Sequence, residues 1–121
     1  MTYSKSIGNV SINYNNFNKD EIQKNPMYMP DSNAAKLAGD MLKEKMAEMD
    51  SVGGIIECVV AGMPTGVGEP VFDKLDANLA KAIMSIGAVK GIEIGDGFAV
   101  ATSTGSKDND GFKVENGHIS K

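Results

Sequence analysis

Residues 53–98 carry the pattern that most limits what this chain can fold into. Ile55-Ile56-Glu57-Cys58-Val59-Val60-Ala61 is short, β-branched and mostly apolar, which predicts a strand buried on at least one face. Gly62, Pro64, Gly66 and Gly68 then stop any regular element from continuing. From Asp73 the period changes. Leu75, Leu79, Ala82, Ile83 and Ile86 fall at i, i+4, i+7, i+8 and i+11, the apolar stripe of a helix packed on one side. That helix is expected from about Asp73 or Asp76 to Ser85, with either aspartate as N-cap and a partner for the positive end of the dipole, and with Gly87 as the stop. Val89-Lys90-Gly91-Ile92-Glu93-Ile94 alternates as a second strand, closed by Gly95-Asp96-Gly97. The unit reads strand, glycine-rich loop, helix, strand.

Such a unit serves either as a packing module or as an anion site built from exposed backbone N–H groups. Its spacing matches neither standard phosphate loop. A dinucleotide fingerprint needs G-x-G-x-x-G opening a helix, and a Walker loop needs Lys-Ser or Lys-Thr after its last glycine. Gly62-x-x-x-Gly66-x-Gly68 has neither arrangement, so the pattern gives no nucleotide site.

A chain of 121 residues is one domain on length alone. With 41% hydrophobic residues, no tryptophan and 6% aromatics, its core must rest on Ile, Val, Leu, Ala and eight methionines. The net charge is −4, from 12 basic and 16 acidic residues with no long run of either sign, which argues against a nucleic-acid binder. Arginine is absent, and bidentate recognition of phosphate or carboxylate is arginine's speciality. The single Cys58 excludes an internal disulfide, fits a reducing compartment and reads as a buried structural thiol. No apolar run approaches the roughly 20 residues of a membrane span, and the polar N-terminus has no signal-peptide core. The expected location is cytoplasmic.

Upstream, Tyr3 to Ile12 is expected as an opening strand with Gly8 as a bulge or bend. Asn13 to Asp31 holds Pro26 and Pro30 and reads as an irregular connection, with a short helical turn near Lys19 to Lys24. Asp31 or Ser32 caps a second amphipathic helix ending near Asp50. Its stripe is Leu37/Ala38, Met41/Leu42, Met46 and Met49, and Lys36, Lys43, Glu44 and Glu48 form its solvated face. Downstream, Ala99-Val100-Ala101 continues as a helical turn or strand. Residues 102–111 are polar and small, Asn116-Gly117 marks a two-residue hairpin turn, and residues 102–121 are expected to be mobile. These elements place the fold in the α+β or mixed α/β class, with a small sheet carrying both helices on one face.

No catalytic constellation emerges from the residues. His118 is the only histidine, and neither an orienting partner nor a pocket is evident for it. One Cys and one His sixty residues apart make no metal cluster. Glu57 and Glu93, on the two candidate strands, could face each other as a carboxylate pair, but solvated outer positions explain them more simply.

Four runs carry a resemblance: Asp50-Ser51-Val52-Gly53-Gly54, Gly66-Val67-Gly68-Glu69-Pro70-Val71-Phe72-Asp73-Lys74-Leu75-Asp76, Met84-Ser85-Ile86-Gly87-Ala88-Val89-Lys90-Gly91 and Glu93-Ile94-Gly95-Asp96-Gly97-Phe98. In order and spacing they resemble the middle of chorismate synthase. Asn25-Pro26 with Pro30-Asp31 looks like the family's N-P-x-x-x-P-D segment. Gly105-Ser106 looks like its R-G-S turn, with Thr104 in place of arginine. Essentially the whole chain aligns with about the middle third of the enzyme.

The resemblance implies one β-α-β layer of a sandwich, and a central fragment of a lyase of aromatic amino-acid biosynthesis. That enzyme converts 5-enolpyruvylshikimate 3-phosphate to chorismate by eliminating phosphate, with reduced FMN as cofactor. The family's acid–base histidines and phosphate-gripping arginines lie in segments before and after this part, so no catalytic residue is expected here. One family site does map onto the chain: the pair after Met-Ser-Ile, here Gly87-Ala88, contacts FMN. Ala88 matches the pattern, and Gly87 fills its variable position. A turn with almost no side chain lets the backbone approach a flat ring or its phosphate, while Gly87 is equally explained as a helix stop. The expected partners are substrate, FMN and copies of the chain in a homo-oligomer, with no nucleic acid or membrane. The fragment alone is expected to be inactive. The rival readings are a non-catalytic, self-associating structural module and an independent small ligand-binding domain.

Overall fold

The computed structural model describes residues 1–109, 111–115 and 117–120. The contacts divide the chain into two compact units, Met1–Met63 and Pro64–Lys121, each described by itself.

In the first unit, the expected single opening strand is a hairpin. Strand β1, Thr2–Ile7, turns through Gly8 and Asn9 into β2, Val10–Ser11, pairing antiparallel at Ser6↔Ser11 and Ile7↔Val10. Gly8 has φ +55°, and a Cβ there would lie 2.7 Å from Val52 Cγ2 and 2.9 Å from Met41 Sδ. The turn therefore needs glycine for both conformation and space. Strand β3, Gly54–Cys58, pairs antiparallel with the other side of β1, from Thr2↔Cys58 to Ile7↔Gly54, with a register shift between Ser4 and Ser6. The sheet order is β2-β1-β3.

Residues 13–31 are irregular, as expected, and side-chain amides satisfy much of their backbone. Asn25 Nδ2 donates to the carbonyls of Glu21 and Met29, both at 2.8 Å, while its Oδ1 accepts from the Met27 and Met29 amides. Asn13 and Asn18 cap short 3-10 turns at Tyr14–Asn16 and Lys19–Glu21. This loop delivers Met29 and Pro30 into the interior, where both are fully buried.

Helix α1, Ser32–Ala47, starts at Asp31, whose carboxylate accepts from the Asn33 and Ala34 amides. Its buried residues are Ala34, Ala35 and Ala38. This rotates the expected stripe: Leu37 is 61% exposed, and Met46 and Met49 are exposed too. Small side chains let the helix backbone sit close to the β1–β2 hairpin, and larger residues from elsewhere fill the remaining space. The core consists of Tyr3, Ile12, Ile22, Met29 and the three alanines, flanked by Ile7, Val10, Phe17 and Met27.

Strand β3 departs from the expectation of a buried strand. It lies at a sheet edge, paired only with β1, and Ile55 and the 67%-exposed Ile56 are open to solvent on its faces. Cys58 is exposed as well, against the expectation of a buried thiol, and its Sγ accepts a hydrogen bond from the Thr2 hydroxyl at 3.3 Å.

In the second unit, helix α2 spans Leu75–Met84, close to its expected bounds. Neither aspartate caps it. Lys74 is the N-cap residue and contributes no side-chain bond. Asp73 instead offers its backbone carbonyl to the Glu69 amide at 2.8 Å and to Asn78 Nδ2 at 3.2 Å. Asp76 does sit in the first turn, where its charge opposes the dipole. No residue of α2 is buried. Gly68, at φ +94°, lies so near the helix start that a Cβ would be 2.7 Å from the Leu75 amide nitrogen.

The expected strand at Val89–Ile94 does not form among the described residues. Alternating side chains favour a strand only when a neighbouring strand takes up the backbone bonds, and none pairs with this segment. The β-α-β order therefore ends at α2. A 3-10 stretch follows at Gly97–Thr102, which realises the helical option for Ala99-Val100-Ala101. The C-terminal hairpin is present as β4, Lys113–Glu115, with β5, His118–Ser120. The turn assigned to Asn116 and the mobility assigned to Asp110, Asn116 and Lys121 lie outside the described residues. The whole is α+β: a three-stranded antiparallel sheet, a two-stranded hairpin and helices.

Candidate functional site

The turn after α2 contains the two residues singled out as cofactor contacts. The helix closes through Ser85, whose amide reaches the Ala82 carbonyl at 3.2 Å and whose hydroxyl donates to the same carbonyl at 2.6 Å. The Ile86 amide bonds to the Ile83 carbonyl at 3.0 Å, and Val89 to the Ile86 carbonyl at 3.3 Å. Among the described residues, no backbone bond uses Gly87 or Ala88, so both peptide units keep their N–H and C=O groups free. Both residues are exposed.

It is Ala88, not Gly87, that occupies the left-handed region, at φ +69°. That conformation costs an L-residue roughly 1–2 kcal/mol. The helix ends at Ser85, so Gly87 is not needed as its stop. A Cβ built on Gly87 would meet nothing within 4 Å. The chain's own packing therefore leaves open space beside Gly87, and a flat group could approach the backbone there.

A second polar cluster lies in the first unit and was not legible in the sequence. The register of β1 against β3 sets Tyr3 opposite Glu57. The Tyr14 hydroxyl donates to Glu57 Oε2 at 2.6 Å, and Lys5 Nζ lies 3.1 Å from the same oxygen and 5.7 Å from the centre of the Tyr14 ring. The Tyr14 hydroxyl holds Glu57 below the usual carboxylate range; burial opposes the shift and Lys5 adds to it. Burial pushes Tyr3 up to about 12, helped by the neighbouring Glu57 charge. Glu57 is thus half-buried and engaged, not a solvated outer position. Its pairing with Glu93 required two strands, and only β3 forms. The cluster neutralises itself internally, which suits a structural lock better than a catalytic site.

Asp31 has its own network. Burial acts to raise its pKa, but the amides of Asn13, Ala34 and Asn33 outweigh it and hold the carboxyl below its ordinary value. His118 falls on β5 in the hairpin, as expected. Among the described residues, no group of three or more His, Cys, Asp or Glu side chains could hold a metal ion. No described helix is long and apolar enough to cross a membrane. Two shallow depressions of about 210 Å³ each occur, one lined by Ile92, Glu93, Ile94, Gly97 and Phe98, the other by Thr2, Tyr3, Ser4, Tyr28 and Ile56. Neither brings together groups that could carry out proton transfer or covalent chemistry.

Comparison with known proteins supplies what the geometry lacks. Residues 1–120 match the family model described as chorismate synthase. The chorismate synthase of Agathobacter rectalis is 56% identical over 121 residues, covering all of this chain and 33% of its own length. That of Lachnoclostridium phytofermentans is 54% identical with the same coverage, and that of Methanobrevibacter smithii is 45% identical over 93% of this chain and 32% of its own length. A crystal structure of chorismate synthase superimposes with a TM-score of 0.81 at 25% identity, over 94% of this chain and 38% of the other. The chain spans about a third of the length of the curated relatives it matches.

Proposed function

Because this chain belongs to the chorismate synthase family, we propose that it works as the central part of a chorismate synthase, the lyase that eliminates phosphate from 5-enolpyruvylshikimate 3-phosphate to give chorismate. The observation that carries this reading is identity of 56% along the full 121 residues to a protein three times as long. Identity that runs through every segment favours it over a self-associating structural module, for which a surface patch would suffice.

The cofactor in this reading is reduced FMN, which lends electrons to the elimination and recovers them, since the reaction has no net redox change. The chain's own contribution is positional. Gly87 and Ala88 present free backbone donors and acceptors in a turn without bulky side chains, held at the end of α2. Acid–base and phosphate-gripping groups come from outside this chain, which has no arginine. The working protein is proposed to be cytoplasmic and homo-oligomeric, and the 121-residue chain alone to be inactive.

FMN titration of the purified chain, followed by amide NMR, tests the site. Saturable shifts centred on Gly87 and Ala88 are expected, without phosphate release from the substrate when reduced FMN is supplied. Shifts confined to other residues would remove the site assignment, and turnover above a buffer blank would refute the inactivity.

A further inference from the structure

The eight methionines of the chain differ sharply in how far water reaches them. Met29 is fully buried in the core. Met27 and Met41 are half-buried, and the Met41 sulfur packs against the Gly8 turn, 2.9 Å from where a Cβ on Gly8 would stand. Met1, Met63 and Met84 are between 44% and 48% exposed. Met46 and Met49 stand apart, at 74% and 95%.

The way α1 ends accounts for this pair. The Met49 amide bonds to the Met46 carbonyl at 3.1 Å, and the Asp50 amide to the Lys45 carbonyl at 2.9 Å, the two bonds of a Schellman closure. Met49 fills the left-handed position of that closure, at φ +56°, where glycine is the usual residue. The reversed backbone carries its side chain clear of the helix. Met46, one turn earlier, lies beyond Ala38, the last buried residue of α1. Neither methionine belongs to the core or to the residues flanking it.

A thioether sulfur is polarizable and nucleophilic, and an oxidant must reach it from solvent. With hydrogen peroxide the sulfur lone pair attacks one peroxide oxygen, the S–O bond forms as the O–O bond breaks, and the second oxygen leaves as water with both protons. Sulfur loses two electrons and the peroxide gains them. From the exposure and the helix-end geometry we infer that Met46 and Met49 form the preferred site of peroxide oxidation in this chain, converted before its other methionines and without loss of the first unit's fold. A sulfoxide at either position keeps its polar oxygen in water, whereas at Met29 it would place an unpaired acceptor in the core. Sulfoxide reductases, one for each epimer, reverse the change.

The test treats the full 121-residue chain with hydrogen peroxide over a time course and follows the gain of one oxygen at each methionine by peptide-mapping mass spectrometry. Met49 is expected to convert first and Met46 second, each at least about twofold faster than Met1, Met63 and Met84 and at least about tenfold faster than Met29. The urea midpoint and circular dichroism should stay unchanged while the pair converts. Met49→Gly, which suits the left-handed position, should remove the fastest phase and leave oxidation of Met46 in place, and Met46→Leu should remove the second. If Met1, Met63 or Met84 leads, the site assignment falls. If the urea midpoint drops as the pair converts, the two sulfurs belong to the packing and the claim of a silent modification falls.

Discussion

Helices α1 and α2 are both amphipathic in sequence, yet they stand in opposite situations. In α1 three alanines are buried against the β1–β2 hairpin and a carboxylate cap closes the N-terminus. In α2 nothing is buried, the N-cap residue Lys74 makes no side-chain capping bond, and Asp76 accepts from no backbone amide but the adjacent Ala77. Most helical stability in proteins comes from packing an apolar face, and isolated helices shorter than about 12–15 residues are marginal in water. The ten residues of α2 therefore depend on cover that this chain's own packing does not supply. The stripe of α2 is left uncovered, whereas α1 belongs to a unit with a core of its own.

Core truncation gives the largest expected contrast. Met29 is fully buried, so Met29→Ala should cost about 2–5 kcal/mol and sharply lower the urea midpoint of the first unit. Leu79, 40% exposed on α2, should cost less than about 1 kcal/mol when replaced by alanine. Equal losses at the two positions would break the contrast.

Capping gives a smaller one. Asp31→Ala removes the N-cap of α1 together with the bond from the Asn13 amide, at an expected cost of about 1–2 kcal/mol. Asp76→Ala removes the bond from the adjacent Ala77 amide, at 2.8 Å, and a charge facing the dipole, and should cost at most about 1 kcal/mol. The Asp31 contribution also has a pH signature. Its pKa is lowered on folding from 3.8, so the stabilisation is complete above that value and is lost as pH falls below it through the folded-state pKa. Acid unfolding of wild type and Asp31→Ala should converge at low pH, and curves that stay parallel would remove Asp31 as the cause.

The smallest effect is at Tyr3. With its pKa raised from 10.0 to about 12, the neutral form is favoured in the folded state. Its stabilisation is present below pH 10 and disappears as pH rises towards 12. Tyrosinate absorbance should show a late phase, and Tyr3→Phe should abolish it. A late phase that survives the substitution belongs to another tyrosine.

Much of this was legible in the sequence. The Asp31 cap, the approximate bounds of both helices, strand β3 and the C-terminal hairpin follow from local chemistry, because caps, apolar periods and turn residues act over a few positions. The collinear runs from Asp50 to Phe98 identified the family. The failures share one physical origin. Val89–Ile94 alternates like a strand without a partner to bond, β3 is apolar without a layer over it, and Cys58 is exposed for the same reason. In each case the residue types describe surroundings that the contacts within that unit do not supply.

The sequence by itself determined most of the local elements and the family, since each rests on residue type and spacing. Only the tertiary structure decided which face of α1 is buried, that Ala88 rather than Gly87 takes the left-handed conformation, and that Tyr14, Lys5 and Glu57 converge. The first and last of those outcomes depend on strand register and on how closely two backbones approach. Both are set by contacts between residues distant in the chain, which no local pattern encodes.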